Sequence, residues 1–248
     1  MSRPVAPDCP QPAVELEAVA AYDQLAPHFA LIREKRRAYC DAIDRLVVRN
    51  LPPQARSLLD VGSGDGSRAE SIASSQLRDV VLLEPSAGMR RLIRPGHEVW
   101  TSRIEDLQTS DHTFDVITCL WNVLGHIMPA GKRLEAMRNM RSLLSPNGLL
   151  FVDVQYRYNA RHYGLWNTLG RIVRETVKPS ILNGDVNVSW PAENGFVRTN
   201  AHLFSRHEML SLFREAGLTV QDCRIVDYAT GRQRSCRFCG SLFFILSR

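Results

Sequence analysis

No run of about 18 or more apolar residues occurs in this 248-residue chain, so nothing in it reads as a membrane span. The opening residues Met1-Ser-Arg-Pro-Val-Ala-Pro7 lack the apolar core of a secretory signal, and a cytoplasmic location is the expectation. The cysteines are few and scattered, at Cys9, Cys40, Cys119, Cys223, Cys236 and Cys239, and a reducing compartment keeps such residues as thiols. Only Cys236-Arg-Phe-Cys239 has ligand spacing. No second C-x-x-C and no H-x3-H stands elsewhere to complete a tetrahedral zinc site, so no metal is expected. Nor does the pair open a helix after a strand, as a thioredoxin-like redox motif does.

Charge of one sign is not gathered anywhere. The formal charge of +5 is spread among Arg33-Glu-Lys-Arg-Arg37, Arg90-Arg91 and residues 232 to 237, whereas nucleic-acid binders collect basic residues on one face with aromatics between them. Solvated helix faces account for this pattern, and an anionic acceptor is compatible with it. With 44% hydrophobic and 23% charged residues, the chain can bury a sizeable core as one large domain.

What the chain does have is Ser57-Leu-Leu-Asp-Val-Gly-Ser-Gly-Asp-Gly66, followed by Val80-Val-Leu-Leu-Glu84. An apolar strand running into closely spaced glycines lets a backbone turn approach a ligand, and an acid about 20 residues later is where a ribose is held. In the dinucleotide fingerprint the third glycine falls one place later than Gly66, where this chain has Ser67. Asp60 is a further difference. A carboxylate at the strand tip repels a pyrophosphate but attracts the ammonium of a methionine-type tail, which favours S-adenosylmethionine over NAD.

Leu59-Asp-Val-Gly-Ser-Gly-Asp-Gly66 with Glu84 resembles the first two motifs of the class I S-adenosylmethionine-dependent methyltransferases, and Phe114-Asp-Val-Ile-Thr-Cys-Leu-Trp-Asn122 is similar to their fourth strand and the motif after it. The resemblance covers residues 55 to 248, apart from 158 to 200. It implies an α/β, doubly wound, Rossmann-like sheet of seven strands, mostly parallel with an antiparallel C-terminal strand and helices on both faces. It also implies site residues. Asp60, Gly62, Ser63 and Gly64 would hold the methionine moiety, Glu84 with Pro85 the ribose, and Met89 the adenine face. Ile104 and Glu105 would address the adenine edge, while Leu120, Trp121 and Asn122 pass beneath the methionine chain. One departure stands at Arg103, where many relatives carry an acid; Glu105, Asp106 or a backbone carbonyl are the candidates to replace it.

The pattern predicts strands near 57–62, 79–84, 97–102, 114–121 and 148–156, and helices near 66–75, 86–93, 130–145 and 205–216. Residues 219–226 and 241–247 read as two strands with no helix between them, hence antiparallel neighbours. Residues 1–14 read as a flexible tail and 15–50 as a helical lid of two helices broken at Pro27, with Tyr22 reaching the cofactor. Residues 51–248 form the methyltransferase domain. Its insertion at 158–200, rich in Tyr158, Tyr163, Trp166, Asn167, Trp190 and Asn194, is expected to overhang the acceptor.

Methyl transfer from a sulfonium needs alignment and exclusion of water, and a general base only if the acceptor arrives protonated. Candidate bases are His126, then His202, then His162 and Tyr158. The leading expectation is transfer to N, O or S of a small-molecule acceptor, since Trp121-Asn-Val-Leu replaces the Asn-Pro-Pro-Tyr motif of base-methylating enzymes. An RNA-modifying methyltransferase, a non-catalytic cofactor-binding subunit and an NAD(P) oxidoreductase remain as alternatives. Neither nucleic acid nor a membrane is the expected partner on this reading.

Overall fold

A computed structural model describes residues 15–73, 76–107, 112–192 and 195–248; the tail expected at 1–14, together with Asn194, lies outside them. The N-terminal segment holds strand β1 (Glu15–Leu16) and three helices rather than the expected two: α1 (Ala18–Leu25), α2 (Phe29–Glu34) and α3 (Arg37–Arg49). Pro27 does break the first pair. It sits in a 3-10 turn over Ala26–His28, where its missing N–H leaves no intrahelical bond unmade.

The alternating unit then follows: β2 (Ser57–Val61), α4 (Ser67–Ile72), β3 (Asp79–Leu83), α5 (Ala87–Arg90), β4 (Glu98–Trp100), β5 (Phe114–Cys119), α6 (Val123–His126), α7 (Ala130–Leu143) and β6 (Leu144–Val154). The segment expected to be an insertion carries its own elements, α8 (Ala160–Tyr163), α9 (Leu165–Val177), β7 (Asp185–Ala192) and β8 (Gly195–His202). The chain closes with α10 (Arg206–Glu215), β9 (Thr219–Val226), β10 (Gln233–Arg234) and β11 (Ser241–Ser247). Ser205 and Glu208 form the capping box legible in the sequence, and Gly217 ends that helix at φ 73°.

The main sheet runs β10-β9-β11-β6-β5-β2-β3-β4. From β6 to β4 every pairing is parallel, and β11 lies antiparallel to both β6 and β9, as the helix-free C-terminal pair implies. The sheet has eight strands rather than seven because the two-residue β10 adds to its edge. Alternate side chains feed two cores. Leu59, Ile117 and Phe244 enter one with Met137 and Phe213, while Leu58, Val116 and Phe243 enter the other with Tyr39 and Ile43.

A second sheet, β1-β8-β7, stands apart from the first. Its β7–β8 hairpin pairs from Asp185↔His202 to Ala192↔Gly195, and β1 joins β8 in parallel. No helix among the described residues is long and apolar enough to cross a membrane.

Candidate active site

The strand order reverses between β2 and β5, and the crevice of an open parallel sheet lies beyond the carboxyl ends of such strands. A cleft of about 1020 Å³, including its open mouth, is found there. It gathers Tyr22, Asp60, Gly62, Ser63, Gly64, Glu84, Pro85, Ile104, Glu105, Leu120, Trp121 and His126, twelve of the sequence-predicted site residues, on one surface.

The glycine loop is built for close approach. Gly62 and Gly64 hold φ of 69° and 59°, and a Cβ at Gly62 would lie 2.6 Å from Val123 Cγ2. At Gly64 it would lie 3.1 Å from the Phe29 ring. Ser63 Oγ is buried in the same loop without a hydrogen-bond partner. A backbone cradle that no side chain can enter, with a spare hydroxyl, fits the methionine end of S-adenosylmethionine.

Two buried carboxyls face this cradle. Asp60 accepts a 2.6 Å bond from Thr118 Oγ1, and burial pushes its carboxyl up to about 6. Glu84 accepts from Gly64 N at 2.7 Å and Ser86 N at 2.8 Å; burial raises it to about 7 although both amides oppose the shift. Each carboxylate oxygen retains a second lone pair, so Glu84 can also take a ribose diol.

Trp121 and Asn122 adopt left-handed backbone, at φ of 60° and 62°, which costs a non-glycine residue about 1–3 kcal/mol. Asp153 holds them there. Its Oδ1 accepts from Trp121 N, its carbonyl from Asn122 N at 3.2 Å, and its Oδ2 from Tyr39 Oη at 2.5 Å. The sequence reading missed Asp153, although an acid inside the buried run Leu149-Leu-Phe-Val-Asp-Val154 was a usable signal. It also missed Phe29, Arg33 and Arg68, which line the cleft from α2 and α4. Arg68 is held by Asp44 at 2.6 Å, and Arg33 reaches Asp65 at 3.2 Å.

His126 borders the cleft beside Tyr22. Its Nδ1 lies 3.2 Å from Asn200 O, and a carbonyl only accepts, so Nδ1 carries the proton and Nε2 accepts from Tyr22 Oη at 3.3 Å. Burial lowers its pKa to about 4. Burial also lifts the Tyr22 phenol well above its usual range.

Four expected site residues lie elsewhere. Met89 is fully buried under α1 with Ala21 and Leu25, because Gly88 lets the two helices meet, so it does not cover the cleft. Asn122 turns away to bond Gln155 N at 3.0 Å and lines a small aromatic chamber next door with Trp190 and Tyr228. His202 is sealed between Asp185 (2.5 Å) and Glu208 (2.7 Å), and Tyr158 donates to Glu175 at 2.6 Å. Both belong to one ion cluster, centred on Arg157, that ties β7, β8 and α9 to α10. His162, the remaining candidate, packs on Tyr228 with 5.3 Å between ring centroids. Cys236 and Cys239 are free thiols, and no cluster of metal ligands occurs among the described residues.

A doubly wound sheet with the reversed strand β11 beside β6, and a glycine cradle flanked by two acids, define an S-adenosylmethionine site. The chain matches the methyltransferase domain family over residues 31–222 and belongs to it; it is an S-adenosylmethionine-dependent methyltransferase. It is 30% identical over 187 residues to the dTDP-4-amino-2,3,4,6-tetradeoxy-D-glucose N,N-dimethyltransferase of Saccharopolyspora spinosa, covering 70% of this chain and 72% of that one. Among solved structures it resembles the CcbJ methyltransferase of Streptomyces caelestis, with a TM-score of 0.67 and 16% identity over 92% of this chain and 97% of that one. An S-adenosylmethionine-bound amino pentose methyltransferase from Micromonospora echinaspora aligns with a TM-score of 0.60 and 19% identity, over 90% and 96% of the two chains.

Proposed function

We propose that this enzyme methylates the amino group of an amino sugar, with Asp60 and the Gly62–Gly64 backbone holding the methionine end of the cofactor and Glu84 its ribose. The cofactor supplies a methyl group on a sulfonium, an activated leaving group that an amine lone pair displaces directly. The chain's own task is to present that lone pair and keep water away.

The observation that carries the reading is the neutral Tyr22–His126 pair on the wall of the cleft. That pair offers an ammonium no counter-charge, so the amine meets this wall in its neutral form. With its pKa near 4, His126 is a weak base, and its part is to orient the Tyr22 hydroxyl, whose oxygen can accept from the amine N–H. The sugar N,N-dimethyltransferase relative supports the choice of nitrogen and of acceptor class. On this reading residues 15–50 and 158–200 close over the reacting groups from opposite sides.

The test offers methyl-labelled cofactor with a 4-amino sugar and with its 4-hydroxy counterpart. Label on nitrogen is expected, with kcat/KM rising through the pKa of the amine rather than near pH 4. His126→Asn is expected to lower kcat roughly tenfold or less, within the range of a lost orienting contact. Label on the hydroxy sugar alone, or a rate that levels off near pH 4, would sink the reading.

A further inference from the structure

Of the five buried polar side-chain atoms without a hydrogen-bond partner among the described residues, four belong to residues that line three adjoining spaces. Ser63 and Arg68 line the cofactor cleft, and Trp190 lines the aromatic chamber. Thr199, whose Oγ1 is the fourth, is among the residues that line a separate open groove of about 700 Å³. His126 is the one residue that lines all three spaces. The groove therefore ends at the imidazole that also walls the cofactor cleft.

Two groups give the groove a chemistry. Thr199 is 1% exposed, and a sealed hydroxyl without a partner costs free energy that a bound oxygen or nitrogen would recover. Arg103 stands where the groove meets the cofactor cleft, and both of its ion pairs, to Glu17 and to Glu105 at 3.9 Å, run through Nη1. The guanidinium has further donors, arranged to grip an oxyanion at two points. The Glu17 side chain is 63% exposed, and an exposed ion pair of this kind contributes little, so it yields readily to a ligand.

We infer that this groove is the acceptor's binding site and takes an amine-bearing ring that carries an oxyanion, a phosphate or a carboxylate. Arg103 binds the oxyanion, Thr199 bonds a ring oxygen and the amine end meets His126. Arg103 and Thr199 thus set which amine is chosen. The inference rests on the N-methylation reading above, but binding tests it apart from transfer.

Wild type, Arg103→Gln and Thr199→Val, each saturated with S-adenosylhomocysteine, are titrated calorimetrically with three probes. These are a 4-aminohexose 1-phosphate, the methyl glycoside of a 4-aminohexuronate and the neutral methyl glycoside of the same aminohexose. Wild type is expected to bind one of the anionic probes at least tenfold more tightly than the neutral one, and the favoured probe tells phosphate from carboxylate. Arg103→Gln should erase that preference, and Thr199→Val should weaken every probe threefold or more. Affinity for S-adenosylhomocysteine should stay within twofold in both variants. Equal binding of the three probes by wild type, binding of none, or a preference that survives Arg103→Gln overturns the inference. So does a loss of S-adenosylhomocysteine affinity in Arg103→Gln, which would hand the arginine to the cofactor. If the probes bind as expected but methyl label never reaches nitrogen, the N-methylation reading fails and the groove assignment stands.

Discussion

Asp60 and Glu84 carry the strongest chemistry in the cleft, and their environment makes it dependent on pH. Unfolded carboxyls titrate near 4, whereas burial holds these two near 6 and 7 in the folded chain. Between those limits the folded state keeps protons that the unfolded state has released. Their contribution to stability is complete below about pH 4 and is lost as pH rises through 6 to 7. The cofactor's ammonium prefers ionised Asp60, so affinity is expected to climb across the same window with release of protons. Calorimetry at pH 6 in two buffers of different ionisation heat measures this directly, and proton uptake would contradict it. Asp60→Asn and Glu84→Gln should each weaken cofactor binding roughly 10- to 100-fold, the equivalent of about 1.5–3 kcal/mol for a hydrogen bond to a charged group. At this scale the sequence was most legible in the glycines, since positive φ and close approach leave few other choices. It was least legible at His202 and Tyr158, whose residue types suit catalysis and ion clusters equally.

Among the elements, α1 is hydrogen-bonded to the start of α5 by Asp23. Asp23 Oδ1 accepts from Ser86 Oγ and Gly88 N, both at 2.7 Å, and the Ser86 bond is the leading cause of its lowered pKa. Asp23→Ala is expected to cost about 1–3 kcal/mol and to weaken cofactor binding too, because Tyr22 is its neighbour on the helix. The variant His202→Asn, by contrast, should cost about 1–3 kcal/mol, as leaving buried hydrogen-bonding groups without a partner does, with cofactor affinity nearly unchanged. Thermal melts with and without cofactor separate the two. A cofactor defect in His202→Asn, or none in Asp23→Ala, would reverse these assignments. The β2-loop-α4 unit and the capping box at Ser205 were readable because their signals are local. The β7–β8 hairpin was overlooked although Asp185-Val-Asn-Val-Ser-Trp190 alternates polar and apolar residues, a local strand signal; what the sequence does not carry is its partner, since pairing with β1 is set by tertiary contacts.

For the whole molecule, the cofactor cleft lies between the N-terminal helices, the main sheet and α6, so ligand binding should stabilise all of them together. Cofactor at 100 times its Kd is expected to add about 2.7 kcal/mol. For a chain of this size, that is a rise in Tm of roughly 5–10 °C, and a melt unaffected by cofactor would show that the cleft does not hold it.

The parallel pairing of β1 with β8 joins Glu15 to Arg198 and Leu16 to Thr199. During synthesis the first of these strands leaves the ribosome long before its partner exists, so β1 must wait for the hairpin before it can pair. The first ordered residues of the chain are thus among the last to find their seat, and a chain that stops before residue 200 has none to offer them.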